Sequence, residues 1–87
     1  MTREQIIQNV KDYILRTWLP GEDPANLTPG TELLSSGILD SLATLELVSF
    51  LEQQYSIQLE AHEVDAATLG TLNQVADLVI GKRGARA

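Results

Sequence analysis

The chain has 87 residues, 44% apolar and 21% charged, which describes one small globular domain and excludes wholesale disorder. Twelve acids against six bases leave a formal charge of −6, which argues against nucleic acid as the main partner. No cysteine is present, so disulfides, thiolate metal sites and a cysteine nucleophile are excluded together, in keeping with a reducing compartment.

The first helix is predicted from Thr2, with Gln5 at the capping-box spacing. Ile6, Ile7, Val10, Tyr13, Ile14 and Trp18 then share one helical face, and Pro20-Gly21 ends it. Charges flank Ile6-Ile7 and no long apolar run follows, so this stretch reads as neither signal peptide nor membrane span, and points to the cytoplasm. Residues 20–39 form a long connection rich in Pro, Gly, Ser and Thr, with Leu27, Leu33 and Leu34 as anchors onto the core and a short helical turn over residues 31–35. Asp40 is a good N-cap for a second helix running to about Tyr55. A short third helix is expected over residues 61–66, with a small apolar cleft between it and the second helix near Val64 and Leu69. The last helix opens at Thr71 and Gln74 and buries Leu72, Val75, Ala76 and Val79. Gly81 is its expected stop, dividing a single domain, residues 1–81, from a flexible basic tail, residues 82–87. The whole reads as an all-α, up-and-down bundle of four helices with a long loop between the first and second.

Charge is segregated along the chain. The bases are Arg3, Lys11, Arg16, Lys82, Arg83 and Arg86, while ten acids and no base lie between Thr17 and Gly81. A one-sign surface maintains solubility and also speeds encounters with basic partners.

The second helix is the informative element. At about 100° per residue, Ala43, Leu47, Phe50, Leu51 and Tyr55 share a core arc with Val48 at its margin. The opposite arc holds Glu46, Ser49, Glu52 and Gln53, with Ser41 at its edge, and Leu42 and Leu45 fall inside it. Single exposed leucines are common on any surface, but two flanked by acids within two turns of Ser41 read as a docking patch. Asp40-Ser41 at a helix start is ordinary capping chemistry when taken alone.

A self-contained active site is not expected. A serine nucleophile needs a base within hydrogen-bond reach, and the only histidine, His62, is far along the chain with no cue linking it to Ser41. The glycines are scattered through turns rather than gathered in a phosphate loop, and no spacing of metal ligands stands out.

The run Gly37-Ile38-Leu39-Asp40-Ser41-Leu42, continued by Glu46-Leu47-Val48 and Leu51-Glu52, resembles the signature of the acyl carrier protein superfamily, and the likeness of element order covers nearly the whole chain. The resemblance implies a four-helix bundle in which Ser41, preceded by Asp40, carries a covalent 4′-phosphopantetheine arm. It also implies a non-enzymatic, monomeric carrier that holds biosynthetic intermediates as thioesters. Its partners would be a phosphopantetheinyl transferase using coenzyme A, an acyl- or aminoacyl-loading enzyme, and downstream synthase or tailoring enzymes. They would dock on Leu42, Leu45, Glu46 and Glu52. Carriers of fatty acid synthesis commonly have an acid where this chain has Ala43, and peptidyl carriers commonly show Gly-Gly-His-Ser. The form here is more similar to free-standing carriers of specialised polyketide or nonribosomal-type pathways. A D-alanyl carrier and a fatty acid synthesis carrier are the alternatives within the family. Outside it stand a helical interaction module and a small acid-rich metal-binding or regulatory protein.

Overall fold

The computed structural model describes residues 2–60 and 64–86, and every regular element among them is helical. Helix α1 spans Arg3–Trp18, α2 Ser41–Tyr55, α3 the single turn Ala66–Leu69, and α4 Leu72–Arg86. None of the described helices is long and apolar enough to cross a membrane.

The expected caps organise the helix starts. The Thr2 side chain accepts from the Gln5 amide and the Gln5 side chain accepts from the Thr2 amide, which completes the capping box of α1. Helix α1 stops at Trp18, and Gly21 takes φ +87° in the turn that follows, a region other residues rarely adopt. Gln74 donates its backbone N–H to Thr71 Oγ1 at 3.1 Å at the start of α4.

Two elements differ from expectation. The third helix lies at Ala66–Leu69 rather than over residues 61–66, of which Ala61, His62 and Glu63 fall outside the described residues. Its start is fixed by Asp65, whose carboxylate accepts from Thr68 N at 3.1 Å and whose carbonyl accepts from Leu69 N at 2.8 Å. In the connection, the helical piece is a 3-10 turn at Pro24–Asn26, capped by Asp23 onto Ala25 N, while residues 34–37 only turn.

The expected stop at Gly81 is also corrected, because α4 continues through it to Arg86. The extension passes Gly81 and Gly84, and a glycine inside a helix costs about 1 kcal/mol. Against it stands the Arg83 guanidinium, which donates to the Tyr55 carbonyl at 2.8 Å and so satisfies a free carbonyl at the C-terminus of α2.

The core is continuous. Helix α4 meets α1, α2 and α3, and its Leu72, Val75, Ala76 and Val79 are fully buried. Ile6, Val10 and Ile14 of α1 and Leu47 and Leu51 of α2 close around them. Arg3 adds an ion pair to Asp77 and a bond to the Asn73 carbonyl, tying the first turn of α1 to α4. Asn9 donates to Tyr55 Oη at 2.9 Å, and Tyr13 stacks on Phe50, so α1 and α2 meet in opposite chain directions.

The long connection, residues 19–40, is part of this core. Leu27, Leu33 and Leu39 are buried in it and Leu34 is half-buried. Leu33 N donates to the Gly70 carbonyl at 2.7 Å and Asn73 N to the Pro29 carbonyl at 3.1 Å, which stitches the connection to the α3–α4 junction. Leu33→Ala should therefore cost as much as a helical core truncation, about 3 kcal/mol. Urea denaturation is the measurement, and a loss below about 1 kcal/mol, the level of an ordinary surface change, would show the connection to be merely draped over the bundle.

Candidate functional site

Leu39 and Ala43 bracket the start of α2 and both are buried, whereas Asp40, Ser41 and Leu42 between them are exposed. Leu39 N donates to the Leu33 carbonyl at 2.9 Å, so the approach to the helix is held by the connection. Gly37 at φ +85° makes the turn that brings the chain there.

Asp40 is a full N-cap. Its Oδ1 accepts from Ala43 N at 2.7 Å, and its carbonyl accepts from both Thr44 N at 2.9 Å and Thr44 Oγ1 at 2.7 Å. The Thr44 hydroxyl thus spends its proton on the cap, which lets this polar side chain sit buried inside α2. A helix wheel of polarity does not place Thr44 in the core, because it ignores the hydroxyl's bond to the carbonyl four residues back.

Ser41 is the first residue of α2 and is exposed. Among the described residues nothing hydrogen-bonds its hydroxyl. The backbone N–H groups of Ser41 and Leu42 likewise have no acceptor, so this end of α2 offers two donors and the positive end of the helix dipole. That environment fits a phosphodiester on the hydroxyl.

An open cleft of about 590 Å³ adjoins Ser41. Leu34 and Leu39 of the connection, Asp40, Thr44 and Leu45 of the α2 start, and Val64 line it with Ser41. The expected cleft near Val64 is therefore present, but Leu69 is not in it; Leu69 is fully buried.

The remaining residues singled out in the sequence divide. Leu42 is 67% and Leu45 59% exposed, beside the exposed Glu46. Glu52 is half-buried, and its Oε2 accepts from Leu59 N at 2.9 Å, holding the segment after α2 against the bundle. Its carboxylate is thus committed within the fold. Tyr13 was read only as a core position of α1, yet its ring lies against Phe50 beside Glu46. Its phenol is pushed above the ordinary range by burial and by the Glu46 carboxylate, with Arg16 opposing. Among the described residues, no three His, Asp or Glu side chains gather where one metal ion could be held.

Comparison with protein families matches the chain to the family described as phosphopantetheine attachment site, over residues 14–79. That span contains α2 whole, with the connection before it, α3, and the first half of α4. Proteins of this family attach 4′-phosphopantetheine covalently to a serine and serve as carriers. The match covers well over half of the chain, which belongs to the phosphopantetheine attachment site family and is a phosphopantetheine-carrying carrier protein.

Proposed function

We propose that Ser41 is the attachment serine, in a free-standing, non-catalytic acyl or aminoacyl carrier of the four-helix type that works as a cytoplasmic monomer. Five serines lie within the matched span: Ser35, Ser36, Ser41, Ser49 and Ser56. Ser36 Oγ is engaged in its own turn, donating to the Glu32 carbonyl and accepting from Ile38 N. Ser56 is the left-handed C-cap of α2 and Ser49 stands mid-helix. Ser35 is exposed but lies in the turn before α2, not at a helix start. Ser41 alone combines an unengaged hydroxyl, free helix-start N–H groups and an adjoining open cleft, and this combination carries the proposal.

The prosthetic group supplies a thiol, which this cysteine-free chain lacks. For its attachment the transferase brings coenzyme A and the base. Ser41 Oγ forms a bond to the pantetheine phosphorus, the phosphoanhydride breaks, adenosine 3′,5′-bisphosphate leaves, and the hydroxyl proton passes to the transferase. Asp40 holds Ser41 at the helix start, where the Ser41 and Leu42 N–H groups would be available to the new charge. The absence of a local base is then no defect.

A specialised polyketide or nonribosomal-type pathway is the reading we favour over fatty acid synthesis. Where carriers of fatty acid synthesis commonly show an acid, this chain has the small, buried Ala43. Partners are proposed to dock along Leu42, Leu45 and Glu46, with the leucines contributing most affinity and the acid mainly orientation and encounter rate. Glu52 contributes less than its position on the wheel implies, because Leu59 N occupies it.

Coexpression with a broad-specificity phosphopantetheinyl transferase, followed by intact mass, tests the attachment. The chain should gain one pantetheine-phosphate unit, Ser41→Ala should abolish the gain, and Ser36→Ala should retain it. Gain persisting in Ser41→Ala sinks the assignment. The docking face has its own test in transfer kinetics. Glu46→Lys should lower kcat/KM by about tenfold at low salt and flatten its salt dependence, whereas Glu4→Lys, an exposed acid on α1, should change it less than about twofold. Leu42→Ala should weaken the complex at high salt as well. Equal losses from the two charge reversals would mean that bulk charge alone matters.

A further inference from the structure

The exposed arc of α2 has two margins. The cleft beside Ser41 lies at one; at the other is a depression of about 350 Å³ lined by Tyr13 of α1 and Glu46, Ser49, Phe50 and Gln53 of α2. The chain has four aromatic rings, one Trp, one Phe and two Tyr, and three of them gather here. Tyr13 and Phe50 stack with centroids 3.9 Å apart and planes 8° from parallel, and Trp18 meets Tyr13 edge-on at 5.3 Å. All three are half-buried, whereas the core itself is built of aliphatic side chains and Tyr55. Aromatic surface held half-exposed on a rigid seam is the kind that anchors a partner.

The rim decides the partner's chemistry. The Glu46 carboxylate only accepts, the Ser49 hydroxyl and the Gln53 amide can each accept as well as donate, and α2 carries two acids and no base. An acidic side chain is repelled there. A planar cation gains twice, from the part of the stack left open to water and from the carboxylate, and guanidinium is the side chain that is both planar and cationic. The seam already takes one: the Arg16 guanidinium stands over the Tyr13 ring, 5.8 Å from its centroid. The raised ionisation of Tyr13, caused first by burial and then by Glu46, is consistent with an acidic field reaching the rings.

We propose that the Tyr13–Phe50 seam is a seat for an arginine side chain of a protein that docks along α2. The proposal rests on docking there and not on which serine is modified. Phe50 lies nine residues beyond Ser41, about 13 Å down the helix axis at about 1.5 Å per residue. Leu42 and Leu45, close to the serine, leave the carrier free to roll about α2. A second contact one bundle edge away, with α1 as its far wall, fixes that rotation and so fixes where the arm points.

The test is an amide-shift titration of the isotope-labelled full chain with N-acetyl-arginine methylamide and with its citrulline analogue, which has the same shape without the charge. The arginine compound should give saturable shifts centred on Tyr13, Glu46, Ser49 and Gln53, and the citrulline compound should bind about tenfold more weakly, a difference of about 1.4 kcal/mol. Phe50→Leu, which retains apolar volume and removes the ring, should weaken the arginine compound about fivefold with the rest of the amide spectrum preserved. Leu42→Ala and Ser41→Ala should leave it unchanged, so failure of the seat and failure of the attachment assignment are read separately. Equal binding of the two compounds, shifts spread evenly over the acids of the chain, or an unaffected Phe50→Leu variant would overturn the proposal.

Discussion

Burial of Leu39 and Ala43 on either side of Asp40-Ser41-Leu42 is the constraint on which the site depends. With both flanks pinned in the core, the three residues between them have only one way to face, outward. The pinning is relayed from elsewhere in the fold. Leu39 N is bound to the Leu33 carbonyl and Leu33 N to the Gly70 carbonyl, so a chain of backbone bonds runs from the α3–α4 junction to the start of α2. The connection between α1 and α2 is therefore the element that aims the serine. This is why Leu27, Leu33 and Leu39 are as deeply buried as the core leucines of the helices.

A bundle this small has little core to spare, and α4 makes the most of it. A side chain such as Leu or Val contributes about 1.5–3 kcal/mol when fully buried. Leu72, Val75 and Val79 all reach that limit on a helix that meets each of the others. No buried side-chain polar atom among the described residues lacks a partner. The interior is satisfied, and two of the open depressions lie at the margins of α2. Function on such a scaffold has to be a surface matter.

Local chemistry was legible in the sequence because it is local. The Thr2–Gln5 box, the Asp40 cap, the Thr71–Gln74 pair and the apolar stripe of α4 each depend on residues three or four apart. So does the exposure of Leu42 and Leu45, which the wheel alone separates from the core arc. What was not legible is the pairing of distant residues. Gly81 reads as a stop until Arg83 is seen to reach the Tyr55 carbonyl. Glu52 reads as a free surface acid until Leu59 N is seen to occupy it. Tyr13 and Phe50 are each a core position on their own wheels, and only their meeting shows a half-exposed stack. Asp77, another acid with an outward look, belongs to the ion pair with Arg3. Asp65–Thr68 is the exception, a local cap at the right spacing that the weak apolar pattern near it does not announce.

The wheel of α2 finally explains how one fifteen-residue helix serves several purposes without compromise. Its inner arc, centred on Leu47 and Leu51, is spent on stability. Its N-terminus presents the serine, one margin borders the cleft, and the other borders the aromatic seam. On the reading proposed above, chemistry at Ser41 is brought by partners, so the chain must bind several of them and release each. Two leucines going from exposed to buried contribute at most about 3–6 kcal/mol, and association itself costs about as much or more. Docking through them alone is therefore weak, and charge steering raises the encounter rate without lengthening the stay. A small apolar patch in an acidic field thus gives fast arrival and fast departure, and it is orientation, not affinity, that the remaining surface has to supply.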